Sequence, residues 1–197
     1  MWILRRIANI LLFPRSEWEV IKHEDPSAHW QHWWYLLSLF LLPVLGTLTG
    51  EMLFRQEDGA VVQFGLARGL TWSLTLAVAV IAGSYVVDWV GSLFGSRRNL
   101  GRSRQLLIYA TTPAWVTSLL LILPILRGLG TVFAVYSAYL FFLGAPALRG
   151  IPREKQFWYT AVAGAVFLLL YLALAGVIAT GLLDLFGLGS TAKLGGK

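Results

Sequence analysis

Residues 105–126, QLLIYATTPAWVTSLLLILPIL, form an apolar stretch long enough to cross a bilayer, with a proline in its interior. A proline inside a helix removes one backbone hydrogen bond and displaces the carbonyl four residues earlier, here that of Tyr109. Hydrocarbon offers no water to a freed carbonyl, so a break at Pro113 requires compensation by neighbouring helices or nearby hydroxyls. Three threonines are at hand for this purpose: Thr111, Thr112 and Thr117. We therefore expect a kinked helix, with a second proline at Pro124, packed among other helices.

The composition is typical of an integral membrane protein. The 197 residues are 57% hydrophobic and only 13% charged, and the mean hydropathy is +0.67. The absence of cysteine excludes a disulfide framework and a thiolate site. Nine tryptophans fit aromatic belts at the two membrane interfaces. We interpret the net charge of +6 as a signal of orientation and not of nucleic-acid binding.

The first 31 residues predict a short interfacial amphipathic segment. Its apolar residues recur at helical spacing, whereas the polar ones fall on another face: Trp2, Ile3, Ile7, Ile10 and Leu11 against Arg5, Arg6 and Asn9. Pro14 predicts a break. The Ser16-x-x-Glu19 spacing predicts a capping box that starts a second short helix presenting Trp18 and Ile21 together.

Five transmembrane helices are expected within a domain of residues 32–186, followed by a flexible tail, 187–197. The predicted spans are 32–49, 70–94, 105–126, 131–148 and 157–183. The short link 127–130 predicts a tight hairpin between the third and fourth spans, and residues 50–69 are the longest predicted loop.

The distribution of basic residues predicts the orientation. Eleven Lys and Arg fall on one side of the predicted spans and five on the other, so the amino terminus is expected in the cytoplasm and the carboxyl terminus outside. Small residues spaced four apart predict close contacts between helices. Those of the second or fifth span also predict a homo-oligomer. These pairs are Ala79/Gly83, Gly91/Gly95, Ala134/Ala138, Ala161/Ala165 and Ala175/Ala179.

The chain resembles the Yip family, the Rab/Ypt-interacting membrane proteins with compact bacterial inner-membrane relatives. The resemblance is carried by four stretches: Phe13-Pro14-x-x-x-Trp18-x-x-Ile21, Tyr109-Ala-Thr-Thr-Pro113 with Leu123-Pro124, the fourth-span residues 130–140, and Leu143-Gly-Ala-Pro146. It implies a multispanning protein with its amino terminus inside, placed here in the bacterial inner membrane.

A metal site is one interpretation of the residues before the first span. His29 and His32 share a helix face, and with Glu24 they supply ligand types that Zn²⁺ or another divalent ion accepts. The alternative is that they are interfacial polar residues within an aromatic belt, since metal sites normally have three or four ligands. No other cofactor is expected.

Asp88 is an acidic residue predicted inside a span, which by default suggests a functional site. It could line an ion or ligand path with Tyr109 and Pro113, or form an ion pair with Arg97, Arg102, Arg104 or a histidine. The loop arginines, together with Arg98, are predicted to contact anionic lipid headgroups.

The sequence favours a non-enzymatic scaffold or adaptor for partner proteins or lipids, because no span interior holds a histidine that could serve a nucleophile. The alternative is a small channel or transporter for ions, metal ions included, or small solutes, that uses the kinked third span and Asp88.

Overall fold

The computed structural model describes residues 2–26, 29–54, 61–123, 125–126 and 130–187, and in these ranges every regular element is a helix. The helices are α1 (Trp2–Leu12), α2 (Pro14–Lys22), α3 (His29–Phe54), α4 (Val61–Leu93), α5 (Leu100–Ala110), α6 (Thr112–Thr117), α7 (Gly130–Arg149) and α8 (Arg153–Leu185). A 3₁₀ turn, Ser118–Ile122, follows α6. The predicted all-α class is confirmed; the predicted tail lies outside the described residues from 188 onward.

Four of the described helices are long and apolar enough to cross a membrane: Trp30–Phe54, Val61–Leu93, Val132–Arg149 and Arg153–Leu185. Helix α4 packs between α3 and α8, and α5 packs along α7. Helices α3, α5 and α8 begin, and α4 and α7 end, at the same end of the bundle. We call it the basic end because it carries most of the described arginines: Arg97, Arg98, Arg102, Arg104, Arg149 and Arg153.

The predicted third span is broken as its proline requires, but it is not one kinked helix. Helix α5 ends at Ala110, Thr111 caps it, and α6 starts with Pro113 in its first turn. Backbone N–H groups at this cap reach the carbonyls of Leu107 and Tyr109. The backbone therefore satisfies the carbonyl that Pro113 displaces.

The three nearby hydroxyls have other partners. Thr111 Oγ1 donates to the carbonyl of Leu107 at 2.8 Å, and Thr117 Oγ1 donates to that of Pro113 at 2.6 Å. Thr112 Oγ1 lies 2.9 Å from the hydroxyl of Tyr35 on α3. Because Thr112, Pro113 and Thr117 are buried, the expectation that this segment packs among other helices is confirmed. Pro124 lies outside the described residues, as do three residues of the predicted 127–130 hairpin link.

The long loop predicted over residues 50–69 is wrong. Helix α3 continues to Phe54 and α4 already begins at Val61, so only residues 55–60 fall outside the described helices. An ion pair between Glu51 and Arg68 joins the two helices there, and Thr47 Oγ1 donates to the carbonyl of Gly65 at 2.9 Å. The sequence pattern missed this extension because charged residues lower local hydropathy whether or not they pair.

Close approach of α3 and α4 depends on Gly69, and its replacement by alanine is expected to destabilise the fold by about 1–3 kcal/mol. A Cβ at this position would lie 2.5 Å from Thr47 Oγ1 and 2.6 Å from Val44 Cα. Thermal unfolding in detergent, followed by tryptophan fluorescence, measures the loss. The matched control is Gly164→Ala on α8, where no heavy atom lies within 4 Å. Equal melting temperatures for the two variants would contradict the prediction.

The small-residue pairs have mixed outcomes. Ala79 and Gly83 are buried, and a Cβ on Gly83 would lie 2.7 Å from the ring of Phe167 on α8. This pair therefore does mediate a helix contact. Gly95 instead follows α4 with φ +92° in an exposed turn. Four alanines of the other pairs are exposed within this chain: Ala134, Ala138, Ala161 and Ala165.

The amino-terminal helices α1 and α2 dock on the bundle. Trp18 and Ile21 are both fully buried, so the prediction that they are presented together is confirmed. The predicted capping box is wrong, because α2 begins at Pro14 with Phe13 at its cap, and Ser16 Oγ donates to the Phe13 carbonyl at 2.9 Å. A proline with its fixed φ is preorganised for a first helical position, which moves the start of the helix ahead of Ser16.

Candidate functional site

Asp88 forms an ion pair at the basic end, and its partner is Arg149 of α7. The guanidinium Nη1 lies 3.1 Å from Asp88 Oδ1, and the Arg149 side chain is only 1% exposed. The same carboxylate oxygen accepts from the backbone N–H of Asn99 at 2.7 Å and from Ser103 Oγ at 3.2 Å. The ion-pair interpretation of Asp88 is therefore correct, but the partners that the sequence suggested for it are not.

The segment between α4 and α5 closes around this pair. Arg149 Nη1 also donates to the carbonyl of Asn99 at 2.9 Å, and Ser96 Oγ donates to the carbonyl of Arg149 at 2.6 Å. Gly91 leaves room for the guanidinium, since a Cβ there would lie 3.0 Å from Nη2. The end of α4, the start of α5 and the end of α7 are thus fastened by one charge pair and its hydrogen bonds.

A second buried cluster, centred on Arg6, joins α1 and α2 to the bundle. Arg6 is 5% exposed and pairs with Glu17 and Glu24. Its guanidinium carbon lies 5.5 Å from the ring centroids of Trp2 and Tyr109, within the range of a cation–π contact. An arginine in apolar surroundings is accommodated here by two carboxylates and two aromatic faces.

The other side of Tyr109 is covered by α3. Its ring lies 5.0 Å from that of Tyr35 and 6.0 Å from that of His32, both in edge-on geometry. Gln105 is fully buried one turn earlier on α5, with Nε2 3.2 Å from His32 Nε2 and Oε1 accepting from Arg102 at 3.0 Å. Tyr109, the first residue of the Tyr109–Pro113 signature, is therefore the central contact of this cluster.

The predicted metal ligands have partners within the protein. Glu24 pairs with Arg6, and His32 contacts Gln105. The side chain of His29 lies outside the described part of the structure. Among the side chains that are described, no three His, Asp or Glu lie close enough to hold a metal ion.

The predicted path residues belong to two different clusters. Asp88 contacts Arg149 and the start of α5, whereas Tyr109 contacts Arg6 and α3. Pro113 is buried in the first turn of α6. The structure therefore does not bring these three residues together around one path.

The four predicted headgroup arginines divide into two kinds. Arg97 and Arg98 are exposed. Arg102 donates to the carbonyl of Ile21 at 3.3 Å as well as to Gln105, and the Arg104 guanidinium carbon lies 5.8 Å from the ring centroid of Trp33. Arg97 and Arg98 thus remain available to a headgroup, whereas Arg102 and Arg104 make contacts within the protein.

Sequence reasoning missed two of the central residues. Arg6 was assigned to the polar face, yet it lies four residues from both Trp2 and Ile10, and this spacing places it on the buried side of α1. That signal was available. Arg149 carries no comparable signal, since nothing local distinguishes it from Arg153, which is exposed. Arg149 is identified as a central residue only by the approach of α7 to α4, which places it beside Asp88.

The fold and these clusters define a multispanning helical membrane protein fastened at one end by buried ion pairs. Residues 8–175 match the Yip1 domain, and the chain belongs to this family. It is similar to the inner membrane protein YohC of Escherichia coli K12, with 23% identity over 189 residues, which cover 89% of this chain and 96% of the relative. The YohC protein of E. coli O6:H1 matches to the same extent. No solved structure matches the chain.

Proposed function

We propose that this Yip1-family protein is a non-enzymatic scaffold or adaptor that gathers membrane proteins or lipids along helix α8. The observation that carries the proposal is the surface of this helix. Over Arg153–Leu185 only Tyr159 and Ala163 are buried, and several large apolar residues are more than half exposed: Leu168, Leu169, Leu172 and Val177. A long apolar face that no other described helix covers is a surface on which lipids or a partner helix can pack.

The buried charges support a scaffold over a channel or transporter. An ion path through Asp88 requires a carboxylate that can exchange partners with a passing ion. Asp88 instead holds Arg149 and accepts two further hydrogen bonds, and each of these contacts fastens one helix to another. Ion flux into proteoliposomes that is abolished by Asp88→Asn would favour the channel.

The topology we propose has five crossings in the bacterial inner membrane, with the amino terminus in the cytoplasm and the carboxyl terminus outside. Helix α4 ends at the basic end and α7 begins at the opposite end, which supports a crossing by the chain between them. The crossing is supported by Gly46 of α3, where a Cβ would lie 2.5 Å from the carbonyl oxygen of Ser118. Both residues are about 26 Å of helix from the basic end. The excess of Lys and Arg at that end, and the inner-membrane location stated for YohC, support the orientation and the compartment.

A photo-crosslinking residue placed on α8 tests the scaffold. Leu169 is 67% exposed, and a crosslinker there is expected to capture a reproducible protein, either a second copy of this chain or another membrane protein, which mass spectrometry identifies. The control position is Ala163, which is 1% exposed and should capture none. If Leu169, Leu172 and Val177 yield lipid adducts alone, α8 does not act as a protein scaffold.

The lipid arm of the proposal rests on Arg97 and Arg98. Replacing both with glutamine is expected to lower the affinity for phosphatidylglycerol by up to about thirtyfold, since each basic residue near a headgroup contributes on the order of 1 kcal/mol. Native mass spectrometry of the purified protein counts the retained lipids. The charge-matched control removes the exposed Arg153 and Lys155. An equal loss of lipid affinity in both variants would mean that the effect comes from net charge and not from a site at Arg97 and Arg98.

A further inference from the structure

We propose that α1 and α2 form a re-entrant hairpin that enters one membrane leaflet from the basic end and exposes the outer apolar stripe of α1 to lipid acyl chains. This goes beyond an amphipathic segment lying on the surface. It rests on α7 crossing the membrane and is independent of the scaffold role of α8.

The depth of the hairpin follows from what α2 touches. Its last turn is at the basic end, where the carbonyl of Ile21 accepts from Arg102. Trp18 packs on Gly144, which lies about 8 Å along α7 from Arg149, toward the amino terminus of that helix. Before α2 begins, the carbonyl of Leu11 accepts from the hydroxyl of Tyr136 at 2.7 Å. Because Tyr136 precedes Arg149 by about 20 Å of helix, the corner between α1 and α2 is the deepest point of the segment.

Helix α1 forms the other leg of the hairpin. The ring centroid of Trp2 lies 6.2 Å from that of Tyr35. Tyr35 itself is about 9 Å along α3 from the first residue of that helix. Arg6 then contacts Tyr109, and Leu11 reaches Tyr136. Since a hydrocarbon core is about 30 Å thick, a corner some 20 Å below Arg149 lies near the middle of the bilayer when Arg149 is at headgroup level.

Several backbone groups at the corner are hydrogen-bonded within the chain. The N–H of Phe13 donates to the carbonyl of Asn9 at 2.7 Å, and the N–H of Glu17 donates to the carbonyl of Phe13 at 3.1 Å. Ser16 Oγ donates to the same carbonyl, and Pro14 has no N–H to satisfy. The chain therefore turns sharply while the N–H groups of Phe13 and Glu17 and the carbonyl of Phe13 stay paired, which lowers the cost of placing the turn in hydrocarbon.

The outer stripe of α1 is apolar along its length, whereas the exposed residues of α2 are mostly polar: Arg15, Ser16, Glu19 and Lys22 beside Val20. Leu4, Ala8 and Leu12 follow one another at a spacing of four residues, so they form one stripe of α1. Leu4 is 73% exposed, Leu12 is 70% exposed, and Phe13 at the corner is 63% exposed. The opposite stripe, centred on Ile10, is occupied by the bundle. At this depth in the bilayer, lipid acyl chains are the apolar groups that would cover the outer stripe.

The charges of the hairpin are compatible with this position. Arg6 is paired with Glu17 and Glu24, as ionised groups inside a membrane are. Arg15 is exposed about one turn deeper than Trp18, and its long side chain can place its charge toward the headgroups. Anionic headgroups complement it and the exposed Arg5.

Single cysteines can test the hairpin, because the chain has none of its own. A fluorescent label at Leu12→Cys, in vesicles of phosphatidylethanolamine and phosphatidylglycerol, is expected to be quenched by lipids carrying a nitroxide deep in the acyl chain and protected from aqueous iodide. The matched control is Glu19→Cys, on the exposed face of α2 nearer the basic end, which should show the reverse. A label at Leu4→Cys should respond best to a nitroxide closer to the headgroup.

Two results would overturn the proposal. Iodide quenching at Leu12→Cys as strong as at Glu19→Cys would place the corner in water. Protection from both quenchers that disappears as the protein is diluted into excess lipid would mean that a second copy covers the stripe. An unchanged melting temperature for each variant confirms that it has folded, which is expected because all three positions are exposed.

Discussion

Replacement of Arg149 by leucine is expected to lower the free energy of unfolding by about 3–5 kcal/mol, among the largest effects of any single substitution in this protein. The variant leaves the Asp88 carboxylate without its counter-charge and the Asn99 carbonyl without a donor. Removing one partner of a buried pair costs more than removing both, because an unpaired charge stays behind. Unfolding of the purified protein in mixed micelles with increasing SDS measures the change.

A double-mutant cycle separates the pair from its surroundings. Asp88→Asn keeps the shape of the side chain and is expected to cost less than Arg149→Leu. The combination should be less destabilised than the sum of the two single changes. The exposed Arg153→Leu serves as the charge-matched control. If it destabilises the protein as much as Arg149→Leu, the pair has no special role.

Truncation of Trp18 to alanine is expected to undock the amino-terminal hairpin, with a loss of about 3–5 kcal/mol in its docking stability. The indole is 1% exposed and fills the notch that Gly144 leaves on α7. Gly144→Leu should have the same effect from the other side, because even a Cβ there would lie 2.6 Å from Leu106 and 2.8 Å from the indole.

The rate of limited proteolysis measures this undocking directly. Trypsin in detergent should cleave after Arg15 and Lys22 far faster in either variant than in the unmodified protein, because cleavage requires the helical backbone at these sites to unfold locally, and undocking of α1 and α2 makes that easier. Trp30→Ala, at a tryptophan that is 72% exposed, is the control. Cleavage rates that match this control would show that Trp18 does not hold the segment.

The two effects explain why different parts of the Yip-type pattern are informative. Trp18 and Ile21 fill the contact between α2 and the bundle, and Tyr109 lies beneath Arg6. Pro113 sets the boundary between α5 and α6. Trp18, Ile21, Tyr109 and Pro113 all belong to the stretches that carry the family resemblance, and each has a structural role. The metal and headgroup predictions remain to be tested by binding experiments.

The sequence alone determined the class of this protein, the position of the break in its third apolar stretch and the buried pair Trp18 and Ile21. These features depend on hydropathy, on the missing N–H of proline and on helical spacing, all of which are local. Only the tertiary structure decided that Asp88 pairs with Arg149, that Glu51 pairs with Arg68 between the extended ends of α3 and α4, and that Arg6 pairs with Glu17 and Glu24. The physical reason is that a charge is stable inside a membrane protein only beside its partner. For Asp88 that partner is 61 positions further along the chain, so its choice depends on how the helices meet.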